Sequence, residues 1–180
     1  MPGAFIDATL RELRSLKRAA EKGMAQIPDD MFFAVLDPES NSIAMLVKHI
    51  AGNMRSRWSD FLTTDGEKPG RHRDSEFIIG PEDTRAALLE RWEQGWAILI
   101  GTLESLGPAD LDRTVTIRSE PYSVVGAVQR SLAHYSDHIG QIILLAKHFA
   151  GAKWQTLSVP RGKSEEMNAA FAAKFKKTAG

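Results

Sequence analysis

The chain has 180 residues, the size of one ordinary domain, and its 43% hydrophobic and 26% charged residues are the balance of a soluble globular protein that can bury a core without staples. Lys plus Arg is 23 and Asp plus Glu is 23, so the formal net charge is zero and the broad basic footprint of a nucleic-acid binder is missing. No cysteine is present, which excludes disulfides, thiolate metal ligands and a cysteine nucleophile, so any metal site must use His, Asp, Glu or backbone oxygen.

The opening Met1-Pro2-Gly3-Ala4-Phe5-Ile6-Asp7 lacks the charged-then-apolar layout of a signal peptide. A first helix is predicted from about Ala4 to Ile27, with Phe5, Ile6, Leu10, Leu13, Leu16 and Ala20 at three- and four-residue steps. Pro28-Asp29-Asp30 closes it. A second runs from about Ser42 to Leu62, after capping side chains in Pro38-Glu39-Ser40-Asn41. Ile43, Leu46, Val47, Ile50, Met54, Trp58 and Phe61 line its broad apolar face. A long polar loop follows, from Thr63 to Ile79, of a length that tends to be functional or mobile. Pro81-Glu82-Asp83 opens a third helix that continues to about Leu106, where Gly107-Pro108 stops it. Val115, Ile117, Tyr122 and Val124, around Ser119-Glu120-Pro121, suit a short hairpin. A fourth long helix is predicted from about Val124 to Ala150, ending at Gly151, and Ser164 caps a last short helix reaching about Lys176. No apolar run approaches the roughly 18 residues of a membrane span. The expectation is one all-α domain over residues 1–180, a four-helix bundle, in the cytoplasm.

The five histidines are His49, His72, His134, His138 and His148. His134 and His138, four apart on one helix, present both rings on the same face, where two imidazoles can converge on a cation. With His134 at zero on a helical wheel, His138 falls at about 40°, Gln141 at about −20°, and the apolar stripe centres at about 120°. The pair therefore lies on the shoulder of the core, which suits either a solvent-reached cleft or an ordinary polar face. No Glu follows His134, so the zinc-protease signature is absent. His49 is the best-placed third ligand, with Asn53 one turn on; the plain alternative is a helix-face histidine. His148 lies about 15 Å beyond His138 at 1.5 Å per residue, too far for the same ion, and His72 is also assigned as a non-ligand.

This order of elements resembles the DinB-like superfamily, also called YfiT-like, of metal-dependent four-helix bundles. Its pattern of one His on the second helix and two on the fourth, ending H-x-G-Q, corresponds to His49 and to His134-x-x-x-His138-Ile139-Gly140-Gln141. Arg57-Trp58-Ser59-Asp60-Phe61-Leu62, Arg71, Arg73-Asp74, Glu76-Phe77 and the tail Leu157-Ser158-Val159-Pro160-Arg161-Gly162 are similar to a branch of unknown function, and together they span nearly the whole chain. The resemblance implies that His49, His134 and His138 are metal ligands. It also implies a small-molecule transferase using a thiol such as bacillithiol or mycothiol, or a hydrolase, and a homodimer.

Three neutral imidazoles suit Zn²⁺ first, with Ni²⁺ or Fe²⁺ as alternatives. Three protein ligands leave a position open, as in catalytic sites. Asn53 and Gln141 are candidates to orient the ligands or a bound molecule, and Arg57 to hold an anionic substrate; the alternative for each is a solvated helix residue. Asp137 is exposed or a partner of a ligand rather than a ligand. The loop charges Asp65, Glu67, Lys68, Arg71, Arg73, Asp74 and Glu76 read as a salt-bridged surface, a lid or a dimer contact. Pro160-Arg161-Gly162 reads as a turn locking the tail, or an anion site. Three functions compete: a metal-dependent enzyme, a metal-binding protein without catalysis, and a dimeric helical interaction module. Neither nucleic acid nor membrane is expected as a partner.

Overall fold

The computed structural model describes residues 2–176. Along the chain come α1 (Pro2–Met24), a short α2 (Asp29–Phe33), α3 (Ile43–Trp58), α4 (Arg85–Ser105), the strands β1 (Thr114–Ile117) and β2 (Glu120–Ser123), α5 (Val124–Ala150) and α6 (Ser164–Lys176). The fold is a mainly helical bundle. Helix α3 packs most extensively on α4, and α1 on α5, so the seams between α3 and α5 and between α1 and α4 are the looser ones. No helix among the described residues is long and apolar enough to cross a membrane.

Three of the long helices start on hydroxyl caps. The side chains of Ser42, Thr84 and Ser123 accept from the backbone N–H groups of Met45, Ala87 and Gly126, satisfying donors that the first turn leaves free. The predicted start at Pro81 is therefore four residues early. The reason is Asp83: its buried carboxylate accepts from Gly80 N–H at 2.9 Å, Lys48 Nζ at 2.6 Å and Arg91 at 2.8 Å, which ties Gly80–Asp83 into a turn ahead of the Thr84 cap. Helix α1 ends at Met24, three residues before the predicted Ile27, and Pro28-Asp29-Asp30 instead opens α2. Its acids occupy the first turn of α2, which carries Phe32 into the core. Helix α3 stops at Trp58, short of the predicted Leu62, where Asp60 takes φ 51°. Ser164 is the first residue of α6 rather than its cap.

The expected hairpin is present. Ile117 pairs with Glu120 across a two-residue turn, Arg118-Ser119, and both turn residues have positive φ, 55° and 64°. Side chains other than glycine resist that conformation, at a cost of order 1–3 kcal/mol each. Asp65 offsets it by accepting from Arg118 N–H at 2.9 Å and Ser119 N–H at 2.7 Å. Gly66 N–H adds a bond to Thr116 O at 2.8 Å, so the 63–72 loop and the hairpin form one cover at the end of the α3–α5 seam.

Trp58, Trp92, Trp96, Tyr135, Phe32, Leu46, Ile50 and Met54 are fully buried, each worth roughly 1.5–3 kcal/mol relative to exposure. One polar chain crosses this core. Trp58 Nε1–H donates to Tyr135 Oη, and the Tyr135 hydroxyl donates to Asn53 Oδ1, both at 3.0 Å. Burial pushes the Tyr135 pKa up to about 12, so the phenol keeps the proton it donates.

Candidate metal centre and its cavity

His49 projects from α3 and His134 and His138 from α5 across the α3–α5 seam. His134 Nε2 lies 3.3 Å from His49 Nε2 and 3.1 Å from His138 Nε2, so three ring nitrogens converge on one point. The three residues form a group whose ligating atoms all lie within 4.8 Å of one another. His49 is buried and the other two are half-buried, as their shoulder position on α5 requires.

His49 is fixed from behind. Its Nδ1 stands 2.8 Å from Glu76 Oε2, and with Nδ1–H donating to that carboxylate the neutral ring turns its Nε2 lone pair toward His134. Glu76 is itself clamped. Arg71 Nε donates to Oε1 at 2.9 Å and Arg71 Nη2 to Oε2 at 2.8 Å, the fork geometry that makes arginine–carboxylate pairs strong. Glu67 accepts from Arg71 Nη1 at 3.2 Å and from Arg118 Nε at 3.3 Å, which extends the chain to the hairpin. Burial alone would raise the Glu76 pKa, but the bonds from His49 and Arg71 win and hold it below the usual range. Gly52 makes room for this carboxylate: a Cβ there would overlap Glu76 Oε1.

The donor set fits a divalent cation. Four-coordinate binding with nitrogen ligands at about 2.0–2.1 Å requires ring nitrogens about 3.3–3.4 Å apart, close to the two spacings from His134 Nε2 to its neighbours. One proton on His134 Nε2 can serve only one of its two neighbours, whereas a cation satisfies all three lone pairs. His134 and His138 are also set to be neutral. Burial, then the neighbouring His138 and His49, then Arg57 and Arg71, push the His134 pKa down to about 3. Burial and His49 lower that of His138, against a smaller opposing effect of the Asp137 charge. A carboxylate–histidine pairing like Glu76–His49 orients a ligating ring and raises its basicity.

Beside the histidines lies a cavity of about 260 Å³, lined also by Asn53, Arg57, Arg71, Arg73, Arg118, Arg130 and Ser131. Because Tyr135 donates to Asn53 Oδ1, the amide is oriented and its Nδ2 is the group left to serve the cavity. Arg57 is only 6% exposed, yet its buried Nε has no hydrogen-bond partner. Burial pulls the Arg57 pKa below the usual arginine range, Tyr135 opposes this, and Arg130 and Arg71 add to it, but a guanidinium stays charged at neutral pH.

A family model described as a protein of unknown function (DUF1572) matches residues 2–163. The chain belongs to this family. DUF1572 has the DinB/YfiT-like fold, in agreement with the resemblance read from the sequence. No curated protein matches the chain.

In this DUF1572 chain, the three histidines singled out by spacing and resemblance do come together, and Asn53 and Arg57 line the same cavity. Gln141 does not: it is exposed and makes no hydrogen bond of normal geometry to His138, whose buried Nδ1 is without a partner. Asp137, His72 and His148 are exposed. Pro160-Arg161-Gly162 is an exposed turn, closed by Lys163 N–H to Pro160 O with Gly162 at φ 77°. The 65–76 charges divide: Asp65 secures the hairpin, while Glu76 and Arg71 support His49 from behind. Sequence reasoning missed Glu76 and Arg130 as site residues. Only the grouping Arg71, Arg73-Asp74 and Glu76-Phe77 hinted at Glu76, and without contacts its charges read as a salt-bridged surface, a lid or a dimer contact rather than as support for a histidine.

Proposed function

We propose that the protein is a metal-dependent enzyme acting on a small molecule, with one divalent cation held by His49, His134 and His138. The observation that carries this reading is the convergence of three Nε2 atoms, one of them fixed by the His49–Glu76 bond, at the mouth of a cavity. A structural zinc site is closed by four protein ligands, whereas three ligands beside a cavity are the arrangement of a catalytic one. Zinc is the first choice, with nickel or iron as alternatives. When bound, such a cation supplies Lewis-acid chemistry: it makes a coordinated thiol more acidic or polarises an oxygen.

The chain's own residues contribute the rest. Glu76 holds His49 in one tautomer and one orientation. Asn53 presents an amide N–H to the cavity, and Arg57 a guanidinium. No carboxylate lines the cavity among the described residues, so the lining offers no evident general base to activate water. That favours S-transfer from a low-molecular-weight thiol of the bacillithiol or mycothiol kind over hydrolysis, because a thiol ionises more readily. The thiol cosubstrate and a homodimeric assembly are parts of the proposal.

The test is metal content in protein purified without added metal or a histidine tag, beside His134→Ala. About one equivalent in the native protein, lost in the variant, supports the site. Failure of the native protein to bind zinc, nickel or iron on titration would sink it. Once a metal is established, thiols are screened against carbon electrophiles.

A further inference from the structure

The lining of the cavity is one-sided. It carries five arginines, Arg57, Arg71, Arg73, Arg118 and Arg130, and no acid among the described residues. Three of the five are answered outside the cavity. Arg71 is held by Glu76 and Glu67, and Arg118 also reaches Glu67. Arg73 stands 3.7 Å from the exposed Asp74, with its guanidinium over the Phe77 ring. Arg57 and Arg130 have no ion pair among the described residues; Arg130 lies over the Tyr122 ring at 5.7 Å.

Arg57 is the more telling of the two. A buried charge without a partner is costly, and folds rarely keep one without a compensating group. This fold encloses Arg57 closely. A Cβ on Gly66 would stand 2.7 Å from its Cδ and 2.9 Å from its Nε, so the absence of that side chain lets the 63–72 loop close over the arginine stem. The bond from Gly66 N–H to Thr116 O then ties that loop to the hairpin. The result is a largely enclosed guanidinium, its Nε buried without a partner, at a cavity whose lining carries no acid among the described residues.

We infer that this cavity is the subsite for an oxyanion group of the ligand, a phosphate or a dicarboxylate bearing about two negative charges, held by Arg57 and Arg130 with Asn53 Nδ2 as a neutral donor. The inference deepens the metalloenzyme reading and rests on it: the anionic group belongs to the substrate or cosubstrate of the histidine site. Two unanswered guanidinium groups set the charge. At about 260 Å³ the cavity is smaller than the roughly 300–1,000 Å³ of sites for drug-sized molecules, which sets a compact, metabolite-sized ligand.

The experiment is calorimetric titration of the metal-loaded protein with inorganic phosphate and, separately, with malonate, at low ionic strength, with metal content measured for every sample. Variants are Arg57→Met and Arg130→Met. Arg130 is exposed, so its variant keeps the fold if the buried Arg57 variant does not. Binding of either anion, weakened about tenfold or more by Arg130→Met and by a folded Arg57→Met, at unchanged metal content, supports the subsite. Phosphate alone points to a phosphorylated ligand, malonate alone to a dicarboxylate, and both to a general oxyanion site. No binding of either anion to a protein that holds its metal overturns the subsite and leaves the metal reading standing. Binding that both arginine variants leave unchanged also overturns it, since the anion then sits on the metal or elsewhere. Anion binding that needs the arginines in a protein that takes no metal would instead remove the metalloenzyme reading and the link between the two.

Discussion

Glu76 is the residue on which the geometry of His49 depends, and replacing it tests that dependence. Glu76→Gln keeps the shape but loses the charge that Nδ1–H faces, and metal affinity should fall about 10–100-fold, the usual cost of removing a carboxylate behind a histidine ligand. Gly52→Ala should give a similar loss without touching any ligand, because its methyl group displaces the Glu76 carboxylate from its place between Arg71 and His49. Competition with a chromophoric chelator measures both, and affinities equal to the native value would show that Glu76 is only a structural anion. Tyr135→Phe strands buried groups at both ends of a hydrogen-bond chain, Trp58 Nε1–H and Asn53 Oδ1, so stability should drop by about 1–3 kcal/mol, read from urea unfolding. The histidines were legible in the sequence because a helix fixes the relation of residues four apart. Glu76 was not, because it acts from a loop across 27 residues of chain, and no local period records such a contact.

At the scale of elements, the long helices were readable from apolar spacing, and α5 has the predicted bounds because Ser123 and Gly151 end it locally. The start of α4 was not readable, since Asp83 is claimed by Lys48 from α3 and by Arg91 from two turns into α4 itself, and these ion pairs outweigh the preference of Pro81 for a first turn. The hairpin shows the same limit. Arg118-Ser119 is a poor choice for a turn with two positive φ values, and it is held by a carboxylate 53 residues away. Backbone N–H groups of Glu67, Ser119 and Arg118 hold the Asp65 pKa down to about 2, so it stays charged across the physiological range. Asp65→Ala should therefore free the turn. Amide exchange at Arg118 and Ser119 should speed up while that of the α1 and α4 cores is unchanged. If exchange there stayed at the native rate, the turn would be holding itself.

For the whole molecule, the neutral histidines make stability depend on pH in a definite direction. In the unfolded chain a histidine titrates at its ordinary 6.5, while in the folded chain His134 is pushed down to about 3 and His138 is lowered as well. Between those values the unfolded chain binds protons that the folded chain refuses, so stability falls as the pH falls through that window and is fully present above about 6.5. Carboxylates act the same way but lower down. Asp65, Glu76 and Asp83 are held below ordinary values of 3.8 to 4.5, so their contribution is lost only as the pH falls below that range. The interval from 6.5 down to 4.5 thus isolates His134 and His138 from these carboxylates. Urea unfolding of metal-free protein across that interval should show falling stability with falling pH, and His134→Gln should flatten the slope. A slope unchanged by the variant would mean that His134 accepts its proton in the folded state, and that the seam is wetter than its packing shows. Added metal should raise native stability by a similar amount across the interval, because the nitrogens it takes are already free of protons in the folded chain, and should leave His134→Gln nearly untouched.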